Sequence, residues 1–210
     1  MVKTIIFDFD GTIADSFELM LEIAEEIAGV ERPSDEVIEY YKQFPLTKVV
    51  RELHIPITRI PRLILKGRQK MHERIHEVHP FKGMPEVLEK LHDHKDYHLL
   101  LMSSNSEQNV RTFLRENDLE RFFDSVVGNV GVFNKAAALK KTIRHNRLDA
   151  KNCFYVGDEV RDVVGASKAG VEPIAVSWGY QARDALAKYH PFALVDKPHD
   201  LLAVFTKSTL

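Results

Sequence analysis

With a single cysteine in 210 residues, the chain cannot staple itself with disulfides, and its stability must come from packing. That cysteine, Cys153, lies in the apolar run Asn152-Cys153-Phe154-Tyr155-Val156, where a buried free thiol suits a reducing compartment. Charge of one sign is also lacking: 29 basic residues stand against 31 acidic ones, a formal net charge of −2. Such a balance leaves no electrostatic footprint for a nucleic acid polymer or an anionic membrane, so any basic site must be local. No apolar stretch approaches the length of a membrane span, and Asp8 arrives before a signal-peptide core could form. A cytoplasmic location with no membrane partner is therefore expected, as a monomer or homodimer. Repeats and low-complexity tracts are absent too, and the length suits one good core, or one core with a small inserted domain.

What is present begins with Thr4-Ile5-Ile6-Phe7-Asp8-Phe9-Asp10-Gly11-Thr12. An apolar, β-branched run reads as a buried parallel strand, and it stops at two carboxylates followed by a glycine. In an open α/β sheet the carboxyl edge is where ligands bind, and a Gly there lets backbone N–H groups approach an anion. As a pair, Asp8 and Asp10 can hold a divalent cation or divide nucleophilic and acid–base duties; the plainer reading is a strand ending in an Asx-turn at Asp10-Gly11. Leu19, Ile23 and Ile27 then recur at helical spacing up to Gly29. From there to about Phe81 no convincing strand is seen, only helical pieces broken by Pro33, Pro45, Pro56 and Pro61, over 34–44, 46–54 and 60–79. Beyond Phe81 an α/β rhythm resumes, with strand-like runs at 98–103, 125–128, 152–157 and 173–177 and a weaker one at 192–195. Alternating strand and helix predicts a parallel sheet with helices on both faces.

Three later stretches also place polar groups at strand or helix ends. Leu99-Leu100-Leu101-Met102 runs into Ser103-Ser104-Asn105, where Ser104-x-x-Glu107 reads as a capping box and the helix start is itself an anion site. Lys135 opens a helix, where a cation opposes the dipole unless an anion lies near; a solvated lysine is the plainer reading. Val156-Gly157-Asp158-Glu159-Val160-Arg161-Asp162 crowds three carboxylates into five residues, which repel one another unless a cation or a basic partner neutralises them. Asp162 could instead cap the following helix, and Asp158 is the foremost ligand candidate. Oxygen-only donors from Asp8, Asp10 and Asp158 suit Mg²⁺.

In this order the four elements, Asp8-Phe9-Asp10-Gly11-Thr12, Ser104-Asn105, Lys135, and Gly157-Asp158 with Asp162, resemble the haloacid dehalogenase-like hydrolases, in particular their phosphoglycolate phosphatase-like branch. The resemblance covers nearly the whole chain, including a loop-like stretch at Val176-Ser177-Trp178-Gly179-Tyr180. It implies a Rossmann-like α/β core formed by 1–14 and 82–210, with an all-helical cap domain over 15–81. It further implies a Mg²⁺-dependent phosphatase acting on a small phosphorylated metabolite through an aspartyl-phosphate. Asp8 would be the nucleophile and Asp10 the acid–base group; the Asp8 carboxylate, the Asp10 backbone carbonyl and Asp158 would hold Mg²⁺. Ser104, Asn105 and Lys135, with the backbone about Gly11 and Thr12, would bind the phosphoryl oxygens, and Glu159 and Asp162 would orient these groups.

Two other classes fit the same residues. A phosphoglucomutase-like isomerase would share the nucleophile but needs a sugar-recognising cap, and a catalytically silent binding protein would be free to lose Asp8 or Asp10, which are intact. A remoter rival is His72-Glu73-Arg74-Ile75-His76, a literal H-E-x-x-H of zinc metalloproteases, but it sits in a heavily charged helix without the usual continuation. Within the insertion, Leu46, Val49, Val50 and Leu53 share a helical face expected to pack inward. Lys48 and Arg51 are then candidates for substrate choice, the plainer alternative being an exposed Lys48–Glu52 pair.

Overall fold

The computed structural model describes residues 2–132 and 134–207. Strand β1 (Lys3–Phe7) leads through a two-residue strand β2 (Ala14–Asp15) into helices α1 (Phe17–Ala28), α2 (Asp35–Lys42), α3 (Leu46–Glu52) and α4 (Ile60–Arg74). A second two-residue strand, β3 (His79–Pro80), pairs antiparallel with β2. The chain then alternates: α5 (Met84–Asp93), β4 (Tyr97–Met102), α6 (Glu107–Glu116), β5 (Ser125–Val127), α7 (Lys135–His145), β6 (Cys153–Gly157), α8 (Val160–Ala169), β7 (Glu172–Val176), α9 (Arg183–Ala187), β8 (Ala193–Val195) and α10 (Asp200–Lys207).

Six strands form one parallel sheet in the order β5-β4-β1-β6-β7-β8. Central β1 is covered on both faces, which is why its sequence is apolar without alternation. Ile5 and Phe7 belong to the cluster completed by Leu88 of α5, Phe113 of α6 and Phe205 of α10; Ile6 faces the other way, with Leu139 of α7 and Ala166 of α8. Register aligns the strand ends, since Phe7 lies level with Leu101 of β4 and Val156 of β6. The three motif-bearing segments therefore leave the sheet side by side.

Each strand lies within a residue or two of its sequence-based expectation. Four features differ. The β2–β3 ribbon escapes pattern reading because two residues per strand carry no period. Helix α4 stops at Arg74, and a 3₁₀ turn over Ile75–Glu77 replaces the expected continuation to His79. Finally, α9 and α10 go beyond the elements expected from sequence, and α3 buries no residue fully; Leu53, expected to face inward, is 51% exposed.

Candidate active site

Asp8 extends the β1 ladder by one bond, its N–H donating to Val156 O at 2.8 Å. Its carboxylate accepts from Phe9 N at 2.9 Å through Oδ1 and from Lys135 Nζ at 2.7 Å through Oδ2. Lys135 is the first residue of α7, buried, with a second partner in Asp162 Oδ1 at 2.9 Å. Burial alone would drive this ammonium neutral, but Asp162 and Asp8 outweigh it and hold the lysine above its ordinary range. The two carboxylates thus account for a cation at the wrong end of a helix dipole.

The chain then turns on Gly11, whose φ of 74° places it in the left-handed region; a β-carbon there would strike the Asp158 carboxylate. This turn presents Asp10, whose carboxylate accepts from Ser16 Oγ at 2.9 Å and from Asn105 Nδ2 at 3.2 Å. Burial, then the neighbouring Asp8 charge, push its carboxyl up to about 6. The Ser16 hydroxyl also meets Tyr180 Oη at 2.8 Å, and Tyr180 N donates to Asp158 Oδ2 at 2.8 Å. Thr12 Oγ1 donates to Asp158 Oδ1 at 2.9 Å. The loop after β7 therefore reaches the acidic cluster through Tyr180, whereas the sequence suggested only a loop at this stretch and no role for it.

Asp8, Asp158 and Asp162 are all buried and can bring one carboxylate oxygen each within 4.8 Å of the others. Glu159 stands next to them, and burial raises both Asp158 and Glu159, the former further lifted by Glu159, Asp162 and Asp8. The basic partner is Arg161, easily missed in the sequence because its neighbours are acids: it pairs with Glu159 and donates to Val132 O at 3.1 Å. Four carboxylates (Asp8, Asp158, Glu159, Asp162) thus face two cations (Lys135, Arg161), leaving a deficit of two charges. Asp162 accepts from Glu159 N at 3.0 Å through Oδ2 and pairs with Lys135 through Oδ1, an oxygen with no hydrogen-bond partner among the described residues beyond that ion pair. Asp8, Asp158 and Asp162 are an all-oxygen donor set, and a hard divalent cation such as Mg²⁺ fits both these donors and the charge deficit.

Several expected roles change place. Ser104 does not cap α6; Ser106 does, its Oγ accepting from Asn109 N at 3.1 Å. Among the described residues the Ser104 hydroxyl has no hydrogen-bond partner, which leaves it available to a ligand. Asn105, expected at the phosphoryl oxygens, donates its Nδ2 to Asp10. The Gly11 and Thr12 N–H groups are used within the turn, donating to Ala14 O at 2.9 Å and Phe9 O at 3.2 Å, so they are not free to cradle an anion. Lys48 lies 3.3 Å from the centre of the Phe44 ring and 3.6 Å from Glu52, the plainer alternative, while Arg51 is exposed. Neither borders the cavity beside Asp10. His72 and His76 are split between α4 and the following 3₁₀ turn, and among the described residues the carboxylate cluster alone has metal-ligand spacing.

That cavity, about 240 Å³, lies between Asp10, Ser104 and Asn105 below and Met20, Leu63, Ile64, Gly67, Arg68 and Met71 of the helical segment above. Fold and site together define an α/β enzyme with an acidic centre at the carboxyl edge of a parallel sheet, covered by helices. Residues 5–176 match the family described as haloacid dehalogenase-like hydrolase, and the chain belongs to that family. A phosphoglycolate phosphatase of Synechococcus elongatus is 29% identical over 209 residues, covering 98% of each chain. Pyrophosphatase PpaX of Bacillus cereus is 28% identical over 216 residues, covering 98% of this chain and 97% of its own. Among solved structures, a predicted phosphatase from Clostridium acetobutylicum superposes with a TM-score of 0.84 at 18% identity, over 99% of both chains, a likeness of fold.

Proposed function

We propose that this hydrolase is a Mg²⁺-dependent phosphatase that cleaves a small phosphomonoester through an aspartyl-phosphate on Asp8. The observation that carries the reading is the pairing of a fixed carboxylate, Asp8, with a second one two residues on whose carboxyl sits at about 6 and faces a covered cavity. An Asp8 oxygen attacks phosphorus as the ester P–O bond breaks, and Asp10 gives its proton to the departing oxygen. Water then attacks the phosphorus of the aspartyl-phosphate, Asp10 takes the water's proton, and inorganic phosphate leaves with Asp8 restored. Lys135 holds Asp8 in line, and the Ser104 hydroxyl is placed to donate to a phosphoryl oxygen. When bound to Asp8, Asp158 and the Asp10 carbonyl, Mg²⁺ supplies positive charge against the phosphoryl oxygens.

The names of the relatives support the phosphatase reading over a mutase. The α1–α4 segment acts in it as a cap, with 1–14 and 82–210 as the catalytic core. Asp8→Asn removes the nucleophilic charge with almost no change in volume, so turnover should vanish while the circular dichroism spectrum is kept. Residual activity above about 1% of wild type would overturn the covalent role. Chelation should likewise silence the wild type, with Mg²⁺ but not Ca²⁺ restoring it.

A further inference from the structure

The cations around Asp8 all have carboxylate partners; the one at the cavity does not. Lys135 pairs with Asp8 and Asp162, and Arg161 with Glu159. Arg68 of α4, half-buried in the cavity wall, contacts only neutral acceptors among the described residues. Its Nε donates to Ser104 O at 3.1 Å, its Nη2 donates to that same oxygen, and Nη1 reaches Asn129 Oδ1 at 3.4 Å. Two donors of the guanidinium fork therefore converge on a single carbonyl oxygen. That Nε–Nη2 edge is the one that grips two oxygens of an anion side by side, with each donor then given its own acceptor. Burial without an opposite charge lowers the guanidinium from its ordinary range, as for a cation whose counter-charge is missing.

The surroundings narrow what completes it. Among the described residues Arg68 is the one cationic side chain lining the cavity, the rest of its upper wall being Leu63, Ile64, Gly67, Met71 and Met20. Asp10, placed to protonate the departing oxygen, lines the floor of the same cavity. A leaving group held there has its ester oxygen toward Asp10 and its far end toward the helices. On the phosphatase reading, we infer that Arg68 is a specificity-determining residue that binds an anionic group, a carboxylate or a second phosphate, on the leaving group of the substrate. It displaces Lys48 and Arg51 from that role.

The test compares paired esters whose far end is anionic in one member and neutral in the other: carboxymethyl phosphate against the near-isosteric carbamoylmethyl phosphate, and ethylene glycol bisphosphate against hydroxyethyl phosphate. Wild type should favour the anionic member of at least one pair by about tenfold to a hundredfold in kcat/KM, mainly through KM, and the favoured pair tells carboxylate from phosphate. Arg68→Met should bring that ratio near one, and Arg68→Lys, which keeps charge but not the fork, should recover part of it. Arg68→Met also loses the Ser104 contact, so both members can slow, but a residue that merely fastens the helices to the core slows both equally and leaves the ratio intact. An unchanged ratio, or wild-type turnover of all four esters without preference, overturns the inference and leaves the phosphatase standing. A wild type inert on these esters and on p-nitrophenyl phosphate with Mg²⁺ overturns both.

Discussion

The sheet and the helical segment bury their residues in different ways. In β1, β4 and β6 almost every side chain is buried, and Asp8 and Asp158 at the carboxyl ends of β1 and β6 each answer a partner of opposite charge or a hydrogen-bond donor. In α1–α4 only Leu19, Ile23, Ile38 and Met71 are buried, while Ile57 is 82% and Leu65 67% exposed. Crowded buried carboxylates demand a rigid frame, because each would otherwise swing away from its neighbours. On the proposed function the helices must admit a substrate and release its product, which calls for the opposite, few buried contacts and a cavity at the seam.

That contrast can be broken first at Asp10. On the proposed mechanism its carboxyl, at about 6 when folded, carries a proton for the first displacement, so kcat/KM on an alkyl phosphate should fall about tenfold per pH unit above that value. A p-nitrophenyl ester, whose leaving group needs no proton, should show no such limb. Asp10→Asn should cost about 10²–10⁴ on the alkyl ester and clearly less on the aryl one; equal losses would remove Asp10 as the acid. Lys135→Met probes the frame rather than the chemistry. It strands Asp8 and Asp162 as unpaired buried charges and should lower stability by about 3–5 kcal/mol in urea titrations.

Substitutions in the helical segment should do less. Gly67 has no heavy atom near the position a β-carbon would take, so Gly67→Ala should stabilise the fold by about 0.5–1 kcal/mol through helix propensity. The added methyl enters the cavity wall, so KM should rise for bulky leaving groups and hardly for small ones. Smallest of all, Lys48→Ala and Arg51→Ala should change stability by no more than about 0.5 kcal/mol and leave KM as it was. A KM effect confined to anionic substrates in either variant would return specificity to α3.

This order of effects follows how much of the molecule its sequence discloses. Strand β1 and the level of Asp8 are readable because a buried central strand leaves an uninterrupted apolar run and its end is marked by charge. Arg161 hides among acids, although the rule that crowded carboxylates need a cation points to it within the same seven residues. Ser104 passes for a cap because Ser106, two residues on, offers the same hydroxyl, and a one-dimensional pattern does not say which turn the backbone takes. Arg68 lies in a helix that also carries Arg62, Lys66, Lys70 and Arg74. Nothing along the chain separates the one facing the cavity from the others, two of which pair with glutamates: Lys70 with Glu26 and Arg74 with Glu22.

The shortest element bears on how the chain could be altered. Ala14 pairs with Pro80 and Asp15 with His79, so the chain leaves the sheet and returns to it along two neighbouring strands. Paired antiparallel strands hold such ends about 5 Å apart, whatever lies between them. A stretch that departs and returns at one point can be lengthened, shortened or exchanged for a different bundle without moving β1 or β4, much as a tool bit is changed in a fixed chuck. New specificities can then be acquired by grafting at the ribbon while the acidic centre is inherited unaltered.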